Sequence, residues 1–306
     1  MAFTLSVNTN PLVNRFAEPE ELVGVLADEV GIGHIQLVHE FINPSWEAKT
    51  VARLTARMAK ALAAKNAKIT SAMTGPYGRL NHFGHPDAEV RAYYVQWFKT
   101  YADIAADLGC PAIGTQFAIL TYRDMDDPAR YDAMIDTALS CWRDVAEHAE
   151  MRGLKYLFWE PMSVAREFGH TLHATQTLQH RIAAAQLPLP LVPMVDIDHG
   201  DVMSPNPRDV DPYAWAQDFA VQSPIIHIKQ STMNKGGHWP FTAQFNENGR
   251  ITPSRLLDAI RSGGGSNNEL CLELAFRERE PSDRLVIAAL RESVEYWAPY
   301  TKTGFN

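Results

Sequence analysis

Cysteine is scarce: Cys110, Cys141 and Cys271 are the three in 306 residues, an odd number without paired spacing. That excludes a disulfide-stapled fold and makes a reducing cytoplasm the expected setting. Positive charge is also short. With 28 Lys and Arg against 36 Asp and Glu, the formal charge is −8. Nucleic acid and anionic membrane are therefore not expected partners, because both select basic surface. No apolar stretch approaches the roughly 18 residues of a membrane span. The start, MAFTLSVNTN, has no basic segment followed by an apolar one, so no secretion signal is expected. No Gly/Ser-rich linker divides the chain, and no G-x-G-x-x-G follows its first apolar run, which speaks against a dinucleotide-binding sheet with a second domain. What is present, 46% hydrophobic and 21% charged residues, is the composition of a soluble globule with a large core.

Eight short apolar runs recur along the chain: Phe3–Asn8, His34–Val38, Ile69–Met73, Ala112–Gln116, Tyr156–Glu160, Leu191–Asp196, Ile225–Lys229 and Leu270–Ala275. Between them the apolar spacing changes to i, i+3, i+4 over Pro19–Val30, Val51–Lys65, Asp87–Leu108, Pro128–Arg152, Leu172–Ala185, Tyr213–Val221, Pro253–Ser262 and Ser282–Tyr296, the period of amphipathic helices. Asp127-Pro128 and Thr252-Pro253 mark helix starts, and Gly31, Gly109 and Gly153 mark stops. Eight β–α units without a break predict one closed (β/α)8 TIM barrel over residues 1–306. Two connections exceed the roughly 2–6 residues usual after a strand. They cover about 74–89 and 230–250, and both read as lids over the carboxyl face of the barrel. Trp97, Trp142, Trp215 and Trp297 fall in helical segments, where they read either as dimer-interface anchors or as buried packing against the barrel.

Four of the runs end in polar groups able to hold a metal: Glu160 in KYLFWEPM, Asp196 in LVPMVDIDHG, His227 in PIIHIKQS and Glu273 in LCLELAF. Each alone has an ordinary explanation. Glu160 could pair with Arg166, and a lone His on an apolar strand is more often a satisfied core residue. Four at equivalent positions of consecutive strands are harder to dismiss, because a buried carboxylate is costly unless paired or coordinated. Oxygen-rich ligation with one imidazole suits a single divalent ion, manganese first, with magnesium, cobalt or zinc as alternatives. Two positions of an octahedral ion would stay open for the carbonyl and neighbouring hydroxyl of a sugar.

The order Glu, Asp-x-x-His, His, Glu at successive strand ends is similar to the xylose-isomerase-like barrel superfamily, and within it to the ketose 3-epimerases of the tagatose and psicose group. The resemblance implies that Glu160, Asp196, His227 and Glu273 hold the metal. It implies further that His199 contacts the substrate and that Glu160 and Glu273 are the acid/base pair, one on each face of the inverted carbon. Two positions depart from that group. The Arg usual six residues beyond the metal His is here Met233, and the Glu usual six beyond the first Glu is Arg166, with Glu167 adjacent. EPMSVARE, HIKQST and GGHWPFT instead resemble a subgroup acting on short ketose phosphates, such as the tetrulose-phosphate epimerases of erythritol catabolism. For a phosphate, Lys229, Lys235, His238 and the amides of Gly236-Gly237 are candidates, with Arg166 and Arg277 beside them; the alternative is that these are solvated loop charges.

The expected activity is inversion of the carbon next to a ketose carbonyl through a metal-stabilised enediolate, with Lys229 assisting. Aldose–ketose isomerisation uses the same intermediate, and an inosose-type dehydratase is a third option on this scaffold. An abasic-site endonuclease shares the barrel but needs more strand-end histidines and a basic face, whereas His148, His170, His173 and His180 fall on or near helices. A non-catalytic sugar-binding barrel is the remaining class. The family analogy implies a homodimer or homotetramer.

Overall fold

In the computed structural model, which describes residues 3–233 and 235–305 without the side chain of Lys235, strands and helices alternate around one ring. The strands are β1 (Phe3–Asn8), β2 (His34–Val38), β3 (Lys68–Met73), β4 (Ala112–Gln116), β5 (Tyr156–Glu160), β6 (Leu191–Pro193), β7 (Val195–Asp196), β8 (Ile225–Ile228), β9 (Gln230–Thr232), β10 (Lys235–Trp239), β11 (Glu269–Leu272) and β12 (Thr301–Lys302). Hydrogen bonding runs in the order β6-β5-β4-β3-β2-β1-β11-β8-β7, all parallel. Since β6 and β7 are two pieces of the sixth apolar run, the path returns on itself and the barrel closes. The break falls at Met194. Its amide still donates to the Trp159 carbonyl at 2.8 Å, but Pro193 has no N–H to continue a ladder, and beyond it Val195–Asp196 pairs with β8 instead.

The expected helices are present, with differences that have local causes. Pro19–Gly24 is α-helical, whereas Val25–Val30 is wound as a wider π-helix ending at Gly31, φ +80°. Leu22, Val23, Leu26 and Val30 are buried in either winding, so apolar periodicity does not separate the two. Residues 230–250 are not an open loop. Gln230–Thr232 and Lys235–Trp239 pair antiparallel as a hairpin, followed by a short helix at Ala243–Asn246. The last of the eight runs forms β11 and stops at Leu272; the Glu273 amide still donates to the Ile228 carbonyl at 3.1 Å, and the Ala275 amide turns to the His238 carbonyl of the hairpin at 2.8 Å.

Of the two readings for the tryptophans, burial holds: Trp97, Trp142, Trp215 and Trp297 all lie in the core. Three use the indole N–H to fasten loops, Trp142 to the Phe117 carbonyl, Trp215 to the Asp209 carbonyl and Trp97 to Ser45 Oγ. An interface anchored on them is excluded. The three cysteines are buried and free. No helix among the described residues is long and apolar enough to cross a membrane.

The connection after β3 is fastened by a buried histidine. His82 presents its ring to Phe83, Tyr94 and Phe98, its Nδ1 accepts from the Phe83 amide at 2.8 Å, and its Nε2 has no partner among the described residues. Burial pushes its pKa down to about 3. In the unfolded chain a histidine titrates near about 6.5. Below that pH the unfolded state takes up a proton that the folded state refuses, so stability is full above about 6.5 and falls as the medium is acidified towards about 3, by up to about 1.4 kcal/mol per pH unit. Urea unfolding of the wild type at several acidic pH values should show this slope, and His82→Asn, neutral and tolerant of the φ of +29°, should flatten part of it. An unchanged slope in the variant would show that His82 is not its source.

Candidate active site

Glu160 closes β5, Asp196 closes β7, His227 lies in β8, and Glu273 follows β11. These are four neighbouring positions of the ring, and the register pairs Asp196 with His227 directly. Parallel strands put their carboxyl ends on one rim, so the four side chains converge there. One ligand-type atom from each lies within 4.8 Å of the other three, and all four residues are buried. His227 Nδ1 is 3.2 Å from Glu160 Oε1 and 3.3 Å from Glu273 Oε2. Neither Glu160 Oε1 nor His227 Nδ1 has a hydrogen-bond partner among the described residues.

The protonation of His227 follows from a backbone amide three hydrogen bonds away. The Asn10 N–H donates to Asn8 Oδ1 at 2.7 Å, which fixes the Asn8 amide so that Nδ2 donates to Gln36 Oε1 at 2.6 Å. Gln36 Nε2 donates to Ser71 Oγ at 2.9 Å, and Gln36 Oε1 then accepts from His227 Nε2 at 2.7 Å. An amide oxygen cannot donate, so the proton on this edge is on Nε2 and the Nδ1 lone pair faces two carboxylates. That arrangement is repulsive unless a cation lies between them, either a proton or a metal ion. Burial, the largest single influence, lowers the basicity of His227, but Glu273, Cys271 and Glu160 together outweigh it, and the ring is held well above its ordinary range. Three carboxylates and one imidazole are a donor set for a hard divalent cation. The cluster can hold a metal ion.

Lys229, two residues past His227 on the same face, is wholly buried against this cluster. Its ammonium donates to Asp196 and, at 3.3 Å, to Glu273 Oε2, and lies 3.2 Å from His199 Nε2 and 2.7 Å from His238 Nε2. An ammonium has no lone pair, so both imidazoles meet it through theirs. His199 is then protonated at Nδ1, 3.3 Å from the Pro161 carbonyl that accepts from it. Burial and the Lys229 charge push the His199 pKa down to about 3, keeping the ring neutral. Burial raises Asp196 to about 6 against the pull of Lys229. For Glu273 burial also acts upwards, but His227 and Lys229 outweigh it and hold the carboxyl well below its ordinary value.

Above the cluster opens a pocket of about 340 Å³, with Glu160, Glu273, His199 and His238 among its lining residues and Asn10, Arg15, Tyr77, Arg79, Met162 and Phe276 around them. Thr74, Gly75 and Pro76 put the connection after β3 on its wall, and His238 comes from the hairpin. The other expected substrate contacts are placed differently. Arg166 pairs with Glu167 at 2.9 Å outside the pocket, Lys229 is sealed beneath it, and Arg277 lines a neighbouring cavity with Trp239 and Phe245. Lys235 lies in β10, its side chain outside the described residues. Asp198 turns from the cluster to accept from Arg250 and from Ser231 Oγ. Sequence reasoning missed Gln36 and Asn8, although a Gln inside HIQLV and an Asn ending TLSVN are polar intruders of the same kind as Glu160.

The turn after His199 depends on a close approach. A Cβ on Gly200 would sit 1.5 Å from the Asp209 carbonyl oxygen, a contact backbone must move to relieve. Gly200→Ala is expected to cost about 1–3 kcal/mol or more and to displace His199. A urea midpoint equal to that of the wild type would refute it.

The family model of xylose isomerase-like TIM barrels matches residues 25–296. A D-erythrulose 1-phosphate 3-epimerase of Brucella abortus (strain 2308) is 60% identical over 304 residues, covering 99% of this chain and 98% of that protein. Among solved structures, a Rhodospirillum rubrum protein provisionally named a xylose isomerase superposes with a TM-score of 0.86 at 25% identity, covering 98% of this chain and 99% of that one. The D-psicose 3-epimerase of Clostridium cellulolyticum H10, solved with D-tagatose, reaches 0.66 at 12% identity, covering 96% and 92%, a likeness of fold. With most of its length matched by the family model and a relative of this identity along nearly all of it, the chain belongs to the xylose isomerase-like TIM barrel family.

Proposed function

We propose that this protein is an isomerase that inverts carbon 3 of a short ketose phosphate, D-erythrulose 1-phosphate first among them, by taking the proton beside the carbonyl from one face and returning it from the other. The observation that carries the reading is the pair of buried glutamates, Glu160 and Glu273, converging on His227 Nδ1 at the floor of one pocket. The Brucella relative supports the choice of substrate. Held by Glu160, Asp196, His227 and Glu273, a divalent ion, manganese before magnesium, cobalt or zinc, would supply Lewis-acid polarisation of the ketone.

The residues do the rest. One glutamate accepts the proton from carbon 3, the electron pair passes to the carbonyl oxygen as an enediolate, and the other glutamate delivers a proton to the opposite face. Neutral His199 orients a substrate oxygen, and the Lys229 ammonium keeps Asp196 and Glu273 anionic in a buried site. The connections at 74–89 and 230–250 serve as lids that exclude water from a one-domain barrel. The protein works in the cytoplasm as a homodimer or homotetramer.

Proton NMR in heavy water tests the reading. Metal-loaded protein should place deuterium at carbon 3 and yield the epimer, whereas aldose–ketose isomerisation would move the carbonyl. A loaded protein that exchanges no proton in any ketose of three to six carbons, free or phosphorylated, would sink it.

A further inference from the structure

A ketose phosphate needs a dianion site, and Lys229 and Arg166 do not line the pocket. Two guanidinium groups do, Arg15 and Arg79, and they are held differently. Arg15 uses every nitrogen: Nε and Nη2 donate to Asp283 Oδ1 and Nη1 to the Pro11 carbonyl. Its charge is matched by Asp283. The residue before it, Asn14, donates to Glu278, another carboxylate on the pocket, so a phosphate at this end would meet like charge.

Arg79 is engaged along one edge. Nε and Nη2 donate to Glu167 Oε2 at 2.8 and 2.7 Å, while Nη1 has no partner among the described residues and the side chain is 47% exposed. Glu167 is 1% exposed and pairs through its other oxygen with Arg166 at 2.9 Å. Two guanidinium groups thus share one carboxylate, and the trio carries a net positive charge. A buried acid gripping the Nε edge fixes the plane of the guanidinium, and a planar fork with a free edge is suited to phosphate oxygens.

We propose that Arg79, oriented by Glu167, recognises the phosphate of the substrate; the inference rests on the reading that the substrate is a ketose phosphate. Glu167 is a positioning residue in this arrangement. It lies next to Arg166, where the sugar epimerases that the sequence resembles carry a glutamate, and here it aims a cation.

The test compares kcat and KM for D-erythrulose 1-phosphate and for unphosphorylated erythrulose, with inorganic phosphate as inhibitor. In Arg79→Met the preference for the phosphorylated sugar, as the ratio of kcat/KM values, should fall roughly ten- to hundredfold, through KM, and the inhibition constant for phosphate should rise in parallel. Glu167→Gln should give a smaller fall in the same ratio. An unchanged ratio in Arg79→Met, an equal loss for both sugars, or the loss appearing in Arg15→Met instead would each overturn the proposal while leaving the epimerase reading intact. A wild type without preference for the phosphorylated sugar would overturn the phosphate reading and this proposal together. Should Arg79→Met not fold, Arg79→Lys, which keeps the charge but not the fork, is expected to lose part of the ratio; full retention would count against bidentate recognition.

Discussion

Glu160→Gln and Glu273→Gln are each expected to stop epimerisation, lowering kcat by on the order of 10²–10⁴, and each to keep one half of the proton chemistry. The two carboxylates come from β5 and from just past β11, on either side of Asp196 and His227 in the ring. In the proposed mechanism a substrate seated between them would offer the carbon 3 proton of one epimer to one glutamate and that of the other epimer to the other. Gln retains an oxygen for the cluster but accepts no proton. Glu160→Gln should therefore still wash deuterium into the epimer that faces Glu273, without converting it, and Glu273→Gln should do so for the opposite epimer. Loss of the carbon 3 proton signal in heavy water reads this out, on variants whose metal content has been measured. Exchange of the same epimer by both variants, or of neither with metal fully bound, would rule out a two-base pair.

The barrel was legible because buried parallel strands leave eight apolar runs of nearly the right length, and Glu160 and Asp196 end their strands where the runs end. The π-wound half of the first helix was not, since its buried residues satisfy both windings. Lys229 shows a different limit. Read along the chain it ends the seventh run as a candidate substrate or phosphate contact, yet it sits two residues from His227 and so points inward with it, where four polar partners, Asp196, His199, His238 and Glu273, make burial tolerable. That period was in the sequence; the partners were not. The pairing of Arg79 with Glu167 spans 88 positions and exists only because the barrel brings the ends of β3 and β5 to one rim. Likewise the Asn8–Gln36–His227 chain crosses three strands, β1, β2 and β8, and no local pattern announces it.

That chain leads to the second large effect. Removing divalent metal with a chelator should abolish proton exchange altogether, and adding manganese should restore it, because His227 Nδ1 and Glu160 Oε1 are buried and aimed at each other without a hydrogen bond. Metal should also stabilise the fold, by about 2.7 kcal/mol at a hundredfold excess over its dissociation constant, so a thermal shift reports binding independently of turnover. Gln36→Leu separates the proposed ligands from what orients them. It leaves all four in place but removes the acceptor for His227 Nε2–H and strands the Asn8 amide, so the imidazole loses the bond that keeps its proton away from Nδ1. Outer-shell losses of this kind weaken metal binding by roughly 10–100-fold. The manganese concentration needed for the thermal shift and for half-maximal activity should rise together by that factor, with activity recovering at saturating metal. A Gln36→Leu protein that binds manganese as the wild type does would mean that the tautomer is set by the metal itself, and activity that survives chelation would remove the metal from the reaction.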